Sequence, residues 1–464
     1  MVHVPVLRHG EVYRSLDVGA VPAVGRGEPT AEASIANAGL VRRDTRRLAD
    51  ARAALAAIPA AELVRRTVAA GEHFVNGTLS VGDDPQTPDD YVRACAASTG
   101  LPEVMVRANM DKLAFVLANM ETVIRGLTRG LDLSVFDEGI GEQDGIPVAI
   151  VSQTDALGAV LPSNSPGVHS LWLPAPALKT PVVLKPGSGD PWTPLRLIEA
   201  MIAAGIPREA FGFYPGGHDV GTAIVDTHDR ILVFGGADTV RRYASRPGVS
   251  VHGPGNSKVL LGPDADWREH LDLMATSVAR NGGRSCINAS TIVVPRDGEA
   301  VARALADRLA ALEPTSLDDP TAGLAAFADA RVAHAIDEAI DGALEDAGAT
   351  DVSGGPRVAE VDGLTYLRPT VVLADADHAL ADREYPFPFV AVVEAEPYEA
   401  LQTMGPTLVL SLVGQDPELR RRAMAARQVD RVHFDDVPTT AIRWDQPHEG
   451  NLFEWLYRRR AVAF

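Results

Sequence analysis

FGFYPGGHDVGTAIVDTHDRILVFGGA, residues 211 to 237, decides the fold class. Its two apolar runs, 211–214 and 231–234, each lead into glycine, and the stretch 220–225 between them carries a helical pattern. A strand, a glycine turn, a helix and a second strand form the repeating unit of a parallel sheet wound with helices. Ligands of such sheets bind at the carboxyl ends of the strands. The glycines Gly216, Gly217 and Gly221, and then Gly235 and Gly236, fall at those ends, where they let backbone N–H groups approach a pyrophosphate.

The same texture extends outward on both sides. Upstream, 148–151, 158–161 and 182–184 read as strands bounded by Gly, Pro, Ser or Asn, and 194–204 reads as a helix. Residues 30–135 are mainly helical, with amphipathic stretches at 45–58 and 105–127. Downstream come a third glycine-rich turn, Gly253-Pro254-Gly255-Asn256, helices at 267–278 and 298–312, and strands at 290–294, 371–373, 389–393, 408–412 and 431–434. The expected organisation is two doubly wound α/β domains. Residues 1–259 form a helical lead-in and a dinucleotide-binding domain, with 145–154 as a candidate oligomerisation strand. Residues 260–435 form a catalytic domain, and 436–464 an arm that returns to the first domain or crosses to another subunit.

Composition excludes several function classes. A chain of 464 residues with 46% hydrophobic residues can bury a large core, and roughly 100–200 residues per domain gives two or three domains. A net charge of −19 opposes binding to nucleic acid, since Arg458, Arg459 and Arg460 make the one dense basic run. No charged leader precedes an apolar core at Met1 to Val6, and no run of about 20 apolar residues follows. A cytoplasmic location with no membrane partner is therefore expected. Two cysteines and no zinc-spaced Cys/His set leave neither a disulfide framework nor a structural metal site.

The two cysteines differ in their surroundings. Cys95 sits in a helical pattern and reads as packing. Cys286 lies in Asn281-Gly282-Gly283-Arg284-Ser285-Cys286, a glycine-rich loop before a strand, with Arg284 placed to favour the thiolate. Lys185 closes the strand Val183-Leu184-Lys185-Pro186, where a half-buried cation needs a partner such as a nucleotide ribose or phosphate.

Taken in order, these motifs resemble the aldehyde dehydrogenase family over residues 145–435. Leu161-Pro162-Ser163-Asn164-Ser165-Pro166 is similar to the family's Pro-Trp-Asn-x-Pro segment, and 182–186 to the run ending in its ribose-binding lysine. Phe234-Gly235-Gly236-Ala237 stands where the family carries Phe-Thr-Gly-Ser, Cys286 where it carries its nucleophile, and Glu384-Tyr385-Pro386-Phe387-Pro388 where it carries Glu-x-Phe-Gly-Pro. The resemblance implies an aldehyde-dehydrogenase-like α/β fold with a small oligomerisation element, as a homodimer or homotetramer. It implies Cys286 as nucleophile, Asn164 as oxyanion holder, and NAD or NADP as cofactor. Pro162, Lys185, Ser188, Gly217, Gly221, Gly235, Gly236, Gly253 and Glu384 would bind that cofactor.

Two departures bear on the reaction. The family's water-activating glutamate is replaced by His252 in Val251-His252-Gly253-Pro254-Gly255-Asn256, so no carboxylate stands there. Gly-x-Gly-Asn resembles the CoA-acylating branch, which implies CoA as co-substrate and a reversible aldehyde to acyl-CoA reaction. The alternative is hydrolysis to an acid with His252 as base, since an imidazole titrates near about 6.5. Ser188, in place of a glutamate often found three residues after the lysine, leaves NADP tolerated. Ala237 removes a phosphate-facing hydroxyl. From other classes, a cofactor-free Cys acyltransferase or hydrolase and a non-catalytic scaffold are the alternatives. Trp444, His448, Glu449 and Asn451 read first as packing residues, with a place near the substrate mouth as the second reading. Residues 110–119 and those after 437 are expected among the pocket-lining segments.

Overall fold

Strand Leu157–Val160 is the point from which the first sheet grows in both directions. In the computed structural model, which describes residues 2–25, 27–82 and 84–463, it lies between Val182–Lys185 on one side and Arg230–Phe234 on the other. Phe211–Phe213 and Val249–His252 extend the parallel sheet outward on the two sides. These strands bury both faces under helices, which is why they read as continuous Val, Leu and Ile runs rather than alternating ones. The chain reverses its direction of travel at Leu157–Val160, and such a reversal opens a crevice at the carboxyl ends of the strands.

The antiparallel strands Val6–Arg8 and Glu11–Tyr13 complete this sheet at its Phe211–Phe213 edge. They come from an N-terminal segment in which sequence reading found no strands. Val6 and Leu7 are fully buried there, so short edge strands formed by tertiary packing escaped a search for longer periodic runs.

The second sheet begins with the wholly buried strand Ser257–Leu261, directly after the turn that ends the first. Ala289–Val294 and Thr407–Val413 flank it in parallel. Phe389–Glu394, Thr370–Ala374 and Val429–Phe434 continue the parallel set, and Ala349–Asp351 adds an antiparallel edge. A third sheet is antiparallel and small: Ile140–Gln143, Ile146–Ser152 and Tyr457–Arg460. The C-terminal segment therefore turns back onto its own chain. It starts as the helix Leu452–Leu456, capped by Asn451, before becoming a strand, and Tyr457 Oη donates 2.6 Å to the Leu178 carbonyl. Met1 and Phe464 lie outside the described residues.

The helical lead-in spans Ala38–Asp44 through Val135–Glu138. The helix expected over 105–127 is two, Glu103–Ala118 and Met120–Thr128. Asn119 makes the break: its side chain donates back to the Phe115 carbonyl at 2.8 Å, the local bonding that makes Asn a poor helix-interior residue. The stretch 45–58 likewise divides, into a 3-10 turn at Thr45–Arg47 and the helix Leu48–Ala56. Among the described residues no helix is long and apolar enough to cross a membrane, and no three metal-ligating side chains converge.

Candidate active site

The two large sheets face one cavity with opposite ends. The first presents carboxyl ends: Pro162 and Asn164 follow Leu157–Val160, Gly235 and Gly236 follow Arg230–Phe234, and His252 closes its strand. The second presents amino ends: Gly255 and Asn256 precede Ser257–Leu261, Cys286 precedes Ala289–Val294, and Glu384 precedes Phe389–Glu394. Pro162, Asn164, Gly235, Gly236, His252, Gly253, Cys286 and Glu384 all line this cavity of about 380 Å³.

Close backbone approach fixes the Cys286 loop. Asn281, Gly282 and Gly283 all adopt positive φ, at 56°, 63° and 71°. A Cβ on Gly283 would lie 2.4 Å from the Phe387 carbonyl carbon, and one on Gly255 would lie 1.9 Å from the Cys286 carbonyl oxygen. Only glycine fits either place. Asn281 is held from both sides, accepting from Asn109 Nδ2 at 2.7 Å and donating to Ser165 Oγ at 3.1 Å. Asn164 Nδ2 donates to the Arg284 carbonyl at 2.8 Å, which aims its amide at the loop that carries Cys286.

The loop is not electropositive in the way the sequence suggested. Arg284 turns its guanidinium away from Cys286, donating to the carbonyls of Thr99 and Ala326 and lying over Phe327. Adjacency in sequence put the charge near the thiol, but the backbone points the side chain into the core. Burial pushes the Cys286 thiol well above its ordinary range, and the charges of Glu449 and Glu384 push it further, against a weaker pull from Arg431. Cys286 is therefore a thiol until a base takes its proton. Cys95 is fully buried in the helix Pro88–Thr99, as a packing residue.

That base-like group comes from the C-terminal segment. Glu449 Oε1 accepts from Cys286 Sγ at 3.5 Å, and its Oε2 is hydrogen-bonded to His252 Nδ1. Burial opposes ionisation of Glu449, but the His252 hydrogen bond and charge, with Arg431, outweigh it and hold the carboxyl below its ordinary value. His252 stacks on Phe234 at 4.6 Å, and its Nε2 faces Ser250 Oγ at 3.2 Å. A carboxylate thus stands beside Cys286 from position 449 rather than 252, and His252 reaches Glu449 rather than Cys286. Trp444, His448, Glu449 and Asn451 all line the cavities here rather than packing away from them, and Asn451 also caps a helix. Arg431 was also missed: its guanidinium sits beside this cluster with Nε and Nη2 buried and unpaired among the described residues.

Glu384 Oε2 accepts from the backbone N–H groups of Gly255 and Asn256, at 2.7 and 2.9 Å. Burial pushes its carboxyl up to about 7, those two bonds notwithstanding. Lys258 ties the same turn to the Glu384 loop, donating 2.8 Å to Asn256 O and 2.6 Å to Asp382. Lys185, Ser188, Gly217 and Gly221 stand outside the cavity wall, on the carboxyl edge of the first sheet. Lys185 is half-buried, with burial lowering its pKa, and among the described residues it donates to the adjoining Pro186 carbonyl alone, at 3.1 Å. A Cβ on Gly221 would come 3.9 Å from the Lys185 side chain, so the two are neighbours. Gly217 and Gly236 cap the helices His218–Thr227 and Ala237–Tyr243, and Ser188 is exposed. A half-buried ammonium with no carboxylate paired to it among the described residues, beside the helix that Gly217 caps, fits the ribose and phosphate groups of a nicotinamide dinucleotide.

Comparison with known proteins agrees with this geometry. Residues 148–443, more than half of the chain, match the aldehyde dehydrogenase family. A putative succinate-semialdehyde dehydrogenase [NADP(+)] 2 of Mycobacterium ulcerans (strain Agy99) is 30% identical over 252 residues, 51% of this chain and 47% of that protein. An N-succinylglutamate 5-semialdehyde dehydrogenase of Sphingopyxis alaskensis is 27% identical over 311 residues, 62% of this chain and 60% of that protein. The chain thus spans about half the length of the curated relatives it matches. The crystal structure of a putative aldehyde dehydrogenase from Burkholderia cenocepacia shares the fold with a TM-score of 0.81 at 20% identity, covering 100% of this chain and 97% of that one. Sequence match, sheet polarity and the placing of the cysteine loop agree: the chain belongs to the aldehyde dehydrogenase family.

Proposed function

We propose that the protein oxidises an aldehyde to a carboxylic acid through a thioester on Cys286, with Glu449 as the general base. The observation that carries this is the Glu449 carboxylate, set between the Cys286 thiol and His252. Glu449 takes the thiol proton, and the thiolate adds to the aldehyde carbon. The resulting oxyanion lies within reach of the Asn164 amide, a preorganised donor in an enclosed site. Collapse of the oxyanion expels hydride and leaves a thioester. Lys185, Glu384, Pro162, Ser188 and the glycines 217, 221, 235, 236 and 253 would hold a nicotinamide dinucleotide, which would supply the hydride acceptor when bound. Glu449 releases that proton to solvent and, as a carboxylate again, takes a proton from the water that attacks the thioester; the carbon–sulfur bond breaks, the acid leaves, and Glu449 returns this second proton to Cys286. His252 keeps the carboxylate ionised and oriented. Semialdehyde oxidation in the names of the curated relatives supports an aldehyde substrate.

CoA-dependent release is the second reading, favoured by the Gly253-Pro254-Gly255-Asn256 turn against Cys286. A cofactor-free thiol–imidazole hydrolase is disfavoured, because His252 spends Nδ1 on Glu449 and faces Ser250 with Nε2. The deciding experiment follows absorbance at 340 nm with NAD or NADP and an aldehyde panel, with and without CoA. Turnover without CoA, yielding free acid, is the expected result; strict dependence on CoA would replace water with CoA as the acyl acceptor.

A further inference from the structure

Lys112, on the helix Glu103–Ala118, is a half-buried cation that has no counter-ion among the described residues. Its ammonium lies over the Trp444 ring, 5.8 Å away, and no described hydrogen-bond acceptor or carboxylate pairs with it. The ammonium lies over Gly167: a Cβ there would come 2.9 Å from Nζ. Lys112 lines the Cys286 cavity and also a second cavity of about 360 Å³, which shares Ser285 and Ile287 with the first. Arg280 lines that second cavity too, and no Asp or Glu does. In a chain with 62 acidic against 43 basic residues, a cavity with two cations and no acid is a local reversal of charge. Burial lowers the Lys112 ammonium to about 8, so it remains largely charged at neutral pH, and an uncompensated buried charge is costly unless a ligand pairs it.

We infer, resting on the function proposed above, that the substrate is an aldehyde carrying a carboxylate at its far end, and that Lys112 receives that carboxylate. The aldehyde carbon then lies at Cys286 and the chain runs past Ser285 and Ile287. The competing space is an apolar cavity of about 290 Å³ lined by Val123, Leu127, Leu171 and Trp455, which meets the Cys286 cavity at His252 and Glu449. It would take a neutral alkyl chain instead. The charged cavity is favoured because its shared residues, Ser285 and Ile287, flank Cys286 in the chain.

The test compares 4-oxobutanoate with butanal in the wild type, Lys112→Met and Lys112→Arg. The wild type should favour 4-oxobutanoate by about tenfold or more in kcat/KM. Lys112→Met should lose that preference through KM, and Lys112→Arg should keep most of it. Equal loss on both aldehydes in Lys112→Met, or a wild-type preference for butanal, would overturn the inference. A readout without turnover separates its failure from that of the proposed function: succinate should slow alkylation of Cys286 by iodoacetamide in the wild type and not in Lys112→Met. Protection without any aldehyde oxidation would keep the anion site and remove the reaction; no protection in the wild type would remove the anion site.

Discussion

The two large sheets reach one cavity with opposite polarity, and they do different work there. The first offers carboxyl ends, glycine turns and helix starts, which are groups that hold a ligand without reacting with it. The second offers amino ends and the loops before them, with Cys286 and Glu384. A strand's carboxyl end feeding a helix needs glycine and carries a local pattern. Loops that enter strands carry less, so their chemistry is recognised from the residues themselves.

Breaking the second side should cost most. Cys286→Ala is expected to lower turnover by about ten-thousandfold or more while leaving cofactor binding, measured by initial rates and by fluorescence titration with the nicotinamide. Glu449 is held below its ordinary carboxylate value and takes the proton of a raised Cys286 thiol, so kcat/KM should be level through neutrality and fall only at acid pH, as Glu449 protonates. A climb that continues to roughly pH 8.5, the ordinary thiol value, would mean that the thiol loses its proton to solvent instead. On the first side, Lys185→Met should raise KM for NAD and NADP by about tenfold with a smaller change in kcat, which initial-rate kinetics at saturating aldehyde would show. At the seam, Gly255→Ala forces a methyl onto the Cys286 carbonyl and should destabilise by about 1–3 kcal/mol in denaturant titrations.

Legibility followed locality. The strands at 182–184 and 231–234, the glycine turns and the Cys286 loop could be read because each depends on neighbours in sequence. Asn164 was readable as part of a recognised segment. Glu449 was read only as a residue that packs or sits near the substrate mouth, and its contact with the thiol was not legible: it stands 163 positions from Cys286, in a left-handed turn with φ of 49°, within a segment that has no periodicity. Arg284 misled for the complementary reason, since its charge is two residues from the thiol in sequence and is spent on Thr99 and Ala326 in space. Lys112 lay within a stretch expected to line the pocket, but its face of the helix was set by packing against the segment that carries Gly167.

The most direct measurement is intact-protein mass spectrometry of Glu449→Gln mixed with aldehyde and NAD or NADP, alongside stopped-flow absorbance at 340 nm. Removing the base while keeping the amide's shape should slow water attack by about a hundredfold or more. Any nicotinamide reduction should then stop near one equivalent per site, with one acyl group on Cys286 that free CoA or hydroxylamine releases. Steady turnover at the wild-type rate, with no acyl adduct in the spectrum, would contradict Glu449 as the group that activates water.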